Sequence, residues 1–200
     1  MAELTVRGRH YRTGTLCEWR CVDGRIAQRR DLPAPGAETI PGAPVAEGAP
    51  ASNNETVSAD WIAPAFFDIQ INGALGVSFN APTLSPEDIR RVTSLCQQHG
   101  VAQYFPTLVT ASHEDLAHGF RTLSHAIRAD ARLAAAIPGF HLEGPYISAE
   151  DGPRGAHPLR HVRPPNWDEF RRLQDAAHGK IRLLTLAPET EGALPFIEKL

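Results

Sequence analysis

The stretch "GFHLEGPYISAEDGPRGAHP", Gly139–Pro158, ends an apolar run on a single carboxylate. Phe140 and Leu142 alternate as in a strand, Glu143 closes it, and Gly144-Pro145 turns the chain away. A carboxylate at the end of a buried strand is costly unless it meets a cation, a hydrogen-bond network or a metal. Two readings of Glu143 follow. It is a structural acid taking backbone N–H groups from the next turn, or one oxygen ligand of a divalent ion that keeps water in an open position. Past the turn, about a dozen residues lead to His157, a long connection of the kind that often carries function. Gly152 and Gly155 supply its bends. A solvated loop histidine is the plain reading of His157. The sharper one has the loop fold over a pocket at this strand end and bring His157 to whatever binds there.

Outward from this stretch, strand and helix signals alternate. "WIAPAFFDIQI", Trp61–Ile71, reads as one strand buried on both faces. "SPEDIRRVTSLCQQHG", Ser85–Gly100, reads as a helix with Ser85 as cap, Pro86 in its first turn and Asp88 completing a capping box. Ile89, Val92 and Cys96 share one face of it, and Gly100 ends it. "VAQYFPTLV" is the next strand. A helix from Ser112 follows, with Leu116, Phe120, Leu123 and Ile127 as its buried stripe. "AAIPGFHL", Ala135–Leu142, is the third strand. A helix from Asn166 buries Phe170, Leu173 and Ala177. "KIRLLTLAP" is the fourth strand, and "EGALPFIEKL" begins a fourth helix.

This β-α alternation predicts a parallel sheet flanked by helices, open or closed into a barrel. No G-x-G-x-x-G follows the first strand, which disfavours the nucleotide-binding form. A TIM-like (β/α) barrel, about four βα units of it, is the expected fold, and its functional residues lie at the strands' carboxyl ends. Those ends carry Asp68, Gln70 and Asn72, then Thr107 and Thr110, then Glu143, then Glu189. Gln70 and Asn72 share one side of their strand, and neutral amides suit hydrogen bonding better than zinc or iron. Plain turn chemistry at Asn72-Gly73 is the alternative for the second of them.

Residues 1–60 have another rhythm. "ELTVRGRHY", "TLCEWRCV" and "RIAQRR" read as short strands, with Asp23-Gly24 as a hairpin turn. "LPAPGAETIPGAPVAEGAPASNNET", Leu32–Thr56, suits loops and edge connections. The expected organisation is a small β module over 1–60 and the first half of a barrel over 61–200.

The 200 residues, 42% hydrophobic and 22% charged, have the composition of an ordinary globular protein. A net charge of -3 gives no argument for nucleic acid or an anionic membrane as partner. No apolar run approaches the roughly 18 residues of a membrane span, and the first residues lack a signal peptide's apolar core. Three cysteines make no disulfide framework, so a cytoplasmic location is expected. Cys17 and Cys21 have no second Cys/His pair at zinc spacing and read as packing residues. His113, His118, His125 and His178 read as surface residues. His141 and Glu143 spell H-x-E, but no C-x-x-C follows and a zinc-deaminase reading fails.

"PAFFDIQINGALGVSFN", "YFPTLVT", "HLEGPYIS" with "GAHP", and "LLTLAPE" occur in order, one per strand. Together they resemble the N-terminal half of the N-acetylglucosamine-6-phosphate deacetylases of the amidohydrolase superfamily. The resemblance implies a divalent metal ion (zinc, iron or similar) that activates water against the acetamide of a phosphosugar. It implies that Glu143 is a metal ligand and that Ala156 and His157 contact substrate, His157 by donating to a sugar hydroxyl. Gln70 and Asn72 match the Q-x-N form of the superfamily's first-strand H-x-H, a form found in members with one metal. The resemblance also implies a β-sandwich completed by both chain ends, and a homodimer. The family's histidine ligands and catalytic aspartate come from later strands, and no catalytic residue is expected within 1–200. Two other expectations stand beside this one: an amidohydrolase for another amide or cyclic amide, and a truncated, non-catalytic half-barrel that associates through its open strand edges.

Overall fold

The computed structural model describes residues 2–33 and 55–200, and the chain divides into two compact units, Met1–Pro64 and Ala65–Leu200. The Pro/Gly-rich connection expected over Leu32–Thr56 lies largely outside the described residues.

The first unit holds β1 (Glu3–His10), β2 (Leu16–Val22), β3 (Arg25–Asp31) and β4 (Glu55–Ile62) in one sheet of order β3-β2-β1-β4. The β1-β2 and β2-β3 pairs are antiparallel, and β1-β4 is parallel. Asp23 and Gly24 join β2 to β3 with φ of 49° and 75°, the two positive values that a tight hairpin turn needs. Glu18 pairs with Arg7 and Arg30 across neighbouring strands. Val6, Trp19, Cys21, Ile26 and Ile62 line an apolar groove.

The second unit holds β5 (Phe66–Ile71), a two-strand ribbon of β6 (Gly73–Ala74) and β7 (Val77–Ser78), α1 (Pro86–Gln98), β8 (Val101–Val109), α2 (His113–Ala129), α3 (Ala131–Ala136), β9 (Phe140–Glu143), α4 (Trp167–Ala176), β10 (Ile181–Thr185) and α5 (Ala193–Ile197). Strands β5, β8, β9 and β10 form one parallel sheet in chain order, each new strand adding at the same edge. A doubly wound sheet reverses direction at a switch point, and this one does not. The chain thus holds a mixed α/β unit and a β-sheet module. The core lies between sheet and helices: Ile89 and Val92 of α1, Leu116, Phe120 and Leu123 of α2, Leu108 of β8, Phe140 and Leu142 of β9 and Leu173 of α4 are all wholly buried.

Several local expectations hold in detail. Ser85 and Asp88 exchange the two bonds of a capping box at α1, while Ser112 and Asn166 cap α2 and α4 through the N–H groups of Asp115 and Glu169. Others are corrected. Trp61–Ile71 is two strands, because β4 ends at Ile62 and β5 starts at Phe66 after Pro64, which has no N–H for a ladder. Nor is β5 buried on both faces, since Phe66, Phe67 and Ile69 are exposed. Ala135 and Ala136 belong to α3, whose N-terminus Asp130 caps through the N–H groups of Arg132 and Leu133, and β9 starts only at Phe140. The tight turn after β5 falls at Leu75-Gly76, with φ of 55° and 77°, and not at Asn72-Gly73.

Candidate functional site

The end of β9 gathers most of the residues singled out in the sequence. Glu143 sits in register beside Val109 of β8 and Thr185 of β10. Gln70, on β5, donates its amide to Glu143 Oε2 at 2.9 Å, and Asn72, just past β5, approaches the same oxygen at 3.5 Å. The loop after Gly144 returns, and His157 Nε2 stands 3.7 Å from the other carboxylate oxygen, Oε1. His157 Nδ1 lies 2.9 Å from Thr110 Oγ1. A cavity of about 360 Å³ opens here, lined by Val109, Glu143, Arg154, Gly155, Ala156, His157 and Pro158. Gln70 and Glu143, 73 positions apart in sequence, thus meet at one carboxylate.

Glycine geometry explains the turn. Gly144 has φ of 74°, and a Cβ there would fall 2.1 Å from Thr110 Oγ1, so no larger residue fits. Gly152 and Gly155 also have positive φ, as the loop's bends require. Arg154 braces the loop from within: Nη1 donates to the His157 carbonyl at 3.0 Å, and Nη2 pairs with Asp151.

Behind the cavity lies a charged cluster that no sequence pattern signals. Arg163 donates to both oxygens of Glu169, at 2.7 to 3.1 Å, and to the carbonyls of Ala111 and His161. Tyr146 donates to Glu169 Oε2 at 3.3 Å, and His113 Nδ1 is 3.3 Å from Oε1. Burial alone pushes the Glu169 carboxyl up, but the Arg163 hydrogen bonds and charge, with His113 and Tyr146, outweigh it and hold Glu169 below the usual carboxylate range. Burial and the neighbouring Glu169 push the Tyr146 phenol up, so it stays a neutral donor. An acid in a helix's first turn, as Glu169 is, and an Arg six residues before it are both too common to count as a signal.

The histidines need correcting. His113 and His118 are half-buried, each with a ring nitrogen shielded from solvent, and are not surface residues; the amphipathic pattern placed them beside the buried stripe. His141 is almost wholly buried, with Nδ1 at 3.2 Å from Thr107 Oγ1 and Nε2 at 2.8 Å from Thr185 Oγ1. Those hydroxyls tie β8, β9 and β10 together through one imidazole. Burial, which favours the neutral ring, lowers its pKa against the opposing pull of the Glu143 charge. Thr107 thus serves this strand tie rather than the cavity. Asp68 accepts from the Gln70 N–H, and Glu189, four residues past β10, is exposed; neither lines the cavity.

Fold and cavity together define a class, the α/β proteins that work at the carboxyl ends of parallel strands. The comparisons are more particular: the chain is similar to proteins named N-acetylglucosamine-6-phosphate deacetylase. It is 38% identical to the human enzyme of that name over 135 residues, 64% of this chain and 31% of that one. A solved structure of the Mycobacterium smegmatis deacetylase, a variant in complex with N-acetyl-D-glucosamine-6-phosphate, superposes with a TM-score of 0.75 at 30% identity, covering 100% of this chain and 47% of its own. The Pasteurella multocida deacetylase superposes equally well, TM-score 0.75, over 98% of this chain and 48% of its own; at 21% identity that likeness speaks for the fold alone. No family model matches the chain. The matched region spans about a third of the curated relatives' length, and the chain about half of the solved ones.

Proposed function

We propose that this chain carries part of the catalytic unit of a metal-dependent deacetylase, one that hydrolyses N-acetylglucosamine 6-phosphate to glucosamine 6-phosphate and acetate. The observation that carries the reading is the convergence on Glu143 of Gln70, Asn72 and His157 at one strand end, within a chain whose relatives bear that enzyme's name. The ordered parallel strands are then the first part of a (β/α) barrel, and the β-sheet module is part of a small β-sandwich.

The donors fit a divalent ion in part. Glu143 is anionic, and among the described residues the only basic side chain within ion-pair reach of it is His157. The two amides bond Oε2, which leaves Oε1 to serve as one oxygen ligand. No group of three or more His, Cys, Asp and Glu side chains is clustered among the described residues, so the remaining ligands and the catalytic acid/base come from elsewhere in this reading. A bound zinc, iron or similar ion supplies Lewis acidity and an activated water.

The chain's own residues then do three things. Gln70 and Asn72 fix the Glu143 carboxylate. His157, with Nε2 toward the cavity, donates to a sugar hydroxyl. Ala156, on the cavity wall, leaves room for the sugar beside it. In the same reading the protein is a cytoplasmic homodimer. No helix among the described residues is long and apolar enough to cross a membrane. The test is acetate release from N-acetylglucosamine 6-phosphate by metal-loaded, full-length protein that includes the segments supplying the remaining ligands and the acid/base, set against a panel of other amides and cyclic amides. Turnover of a cyclic amide with none of the phosphosugar overturns the reading.

A further inference from the structure

We propose that Thr110 is the positioning residue for His157: its hydroxyl fixes the plane of the imidazole and so aims Nε2 at the Glu143 side of the cavity. Thr110 follows β8 directly and is 3% exposed, yet its hydroxyl stands where three segments meet. Its Oγ1 lies 2.9 Å from His157 Nδ1 and 3.4 Å from the Glu143 carbonyl, and it abuts Gly144, where any Cβ would collide with it. The glycine is the space that the hydroxyl occupies. Both neighbours of this contact are pinned independently. Arg163 Nη1 holds the adjoining Ala111 carbonyl at 3.0 Å, and Arg154 Nη1 holds the His157 carbonyl at 3.0 Å. With both backbones held, the Thr110 hydroxyl is the one described side-chain contact that sets the ring's rotation about its own axis, since Nε2 at 3.7 Å from Glu143 is too far for a hydrogen bond. The 2.9 Å contact gives Nδ1 a hydrogen-bond partner and so holds the ring's orientation. A ring turned by a half-rotation would present carbon to the cavity in place of nitrogen.

The inference rests on the deacetylase reading only for its kinetic arm. The test compares Thr110→Val, which keeps the shape and removes the oxygen, with Thr110→Ser, which keeps the oxygen and removes the methyl. The imidazole nitrogens of His157 are followed by ¹⁵N NMR in the same protein used for activity. The parent and Thr110→Ser show the Nδ1 shift of a hydrogen-bonded ring, whereas Thr110→Val shows the shift of a ring without that bond. On N-acetylglucosamine 6-phosphate, kcat/KM falls about tenfold in Thr110→Val and stays within about twofold of the parent in Thr110→Ser. Unchanged His157 shifts in Thr110→Val, or equal loss in both variants, overturn the inference. If the full-length parent releases no acetate, the function proposal falls, while the imidazole spectra still decide the role of Thr110.

Discussion

Replacing Glu169 with Gln keeps the side chain's size and its helix-capping backbone N–H, but removes the charge that faces Arg163. The Glu169 side chain is 9% exposed and Arg163 26%, and three Arg163 contacts at 2.7 to 3.1 Å end on that carboxylate. Breaking a fully buried pair from one side costs about 3–5 kcal/mol. Arg163 keeps the carbonyls of Ala111 and His161 and some water, so the expected loss is smaller, about 2 kcal/mol. For a unit the size of Ala65–Leu200 that corresponds to a fall in Tm of about 7 °C. The sign with pH follows from the depressed carboxyl. Glu169 contributes stability above its unfolded-state pKa and loses it as pH falls through its lower folded-state value. The parent's advantage over Glu169→Gln is therefore full at neutral pH and shrinks in acid. Urea unfolding of both proteins, followed by far-UV circular dichroism at neutral and acid pH, measures it. A gap below about 0.5 kcal/mol at neutral pH, or one that does not shrink in acid, refutes the clamp.

Three further outcomes are expected. His157→Ala weakens sugar recognition, lowering kcat/KM by the equivalent of about 1–3 kcal/mol with metal content unchanged; loss of metal with sugar affinity kept would reverse the two assigned roles. Ser85→Ala removes one half of the α1 capping box and costs about 1 kcal/mol in urea unfolding, and an unaltered midpoint would mean that Asp88 caps alone. Gly144→Ala places a methyl against Thr110 Oγ1 at a positive φ, so it lowers Tm and also broadens the His157 resonances; a variant with parent stability would show that the turn relaxes freely.

Much of the α/β unit was legible because its signals are local. Ser85-Pro86 with Asp88, the Leu116–Ile127 stripe and the Asn166 cap each announce an element within a few residues. The Trp61–Ile71 strand misled because an apolar run says nothing about which sheet takes each half, and Pro64 divides it between two. The α3 helix was missed because a run of alanines beside a strand has no period of its own; Asp130 was its only signal. At the site, Glu143 announces itself by chemistry, as a lone acid closing an apolar strand. That Gln70, 73 positions earlier, meets it depends on β5 and β9 flanking β8, a fact of topology beyond any local pattern. Thr110 and Arg163 were harder still. A threonine ending a strand and an arginine in a loop are ordinary, and only the returning loop gives them partners.

The central claim is that Glu143 is an oxygen ligand of a divalent ion, held in place by Gln70 and Asn72. The direct measurement is metal stoichiometry, by elemental analysis after dialysis against zinc, of the full-length parent that includes the remaining ligands and of its Glu143→Gln variant. Gln keeps the shape and can still bond the two amides, but it offers a neutral oxygen in place of an anion, a much poorer ligand for a hard or borderline cation. The account predicts that the parent retains zinc and that Glu143→Gln loses most of it, with folding intact by circular dichroism. Equal metal content in the two proteins would contradict it and return Glu143 to a purely structural role.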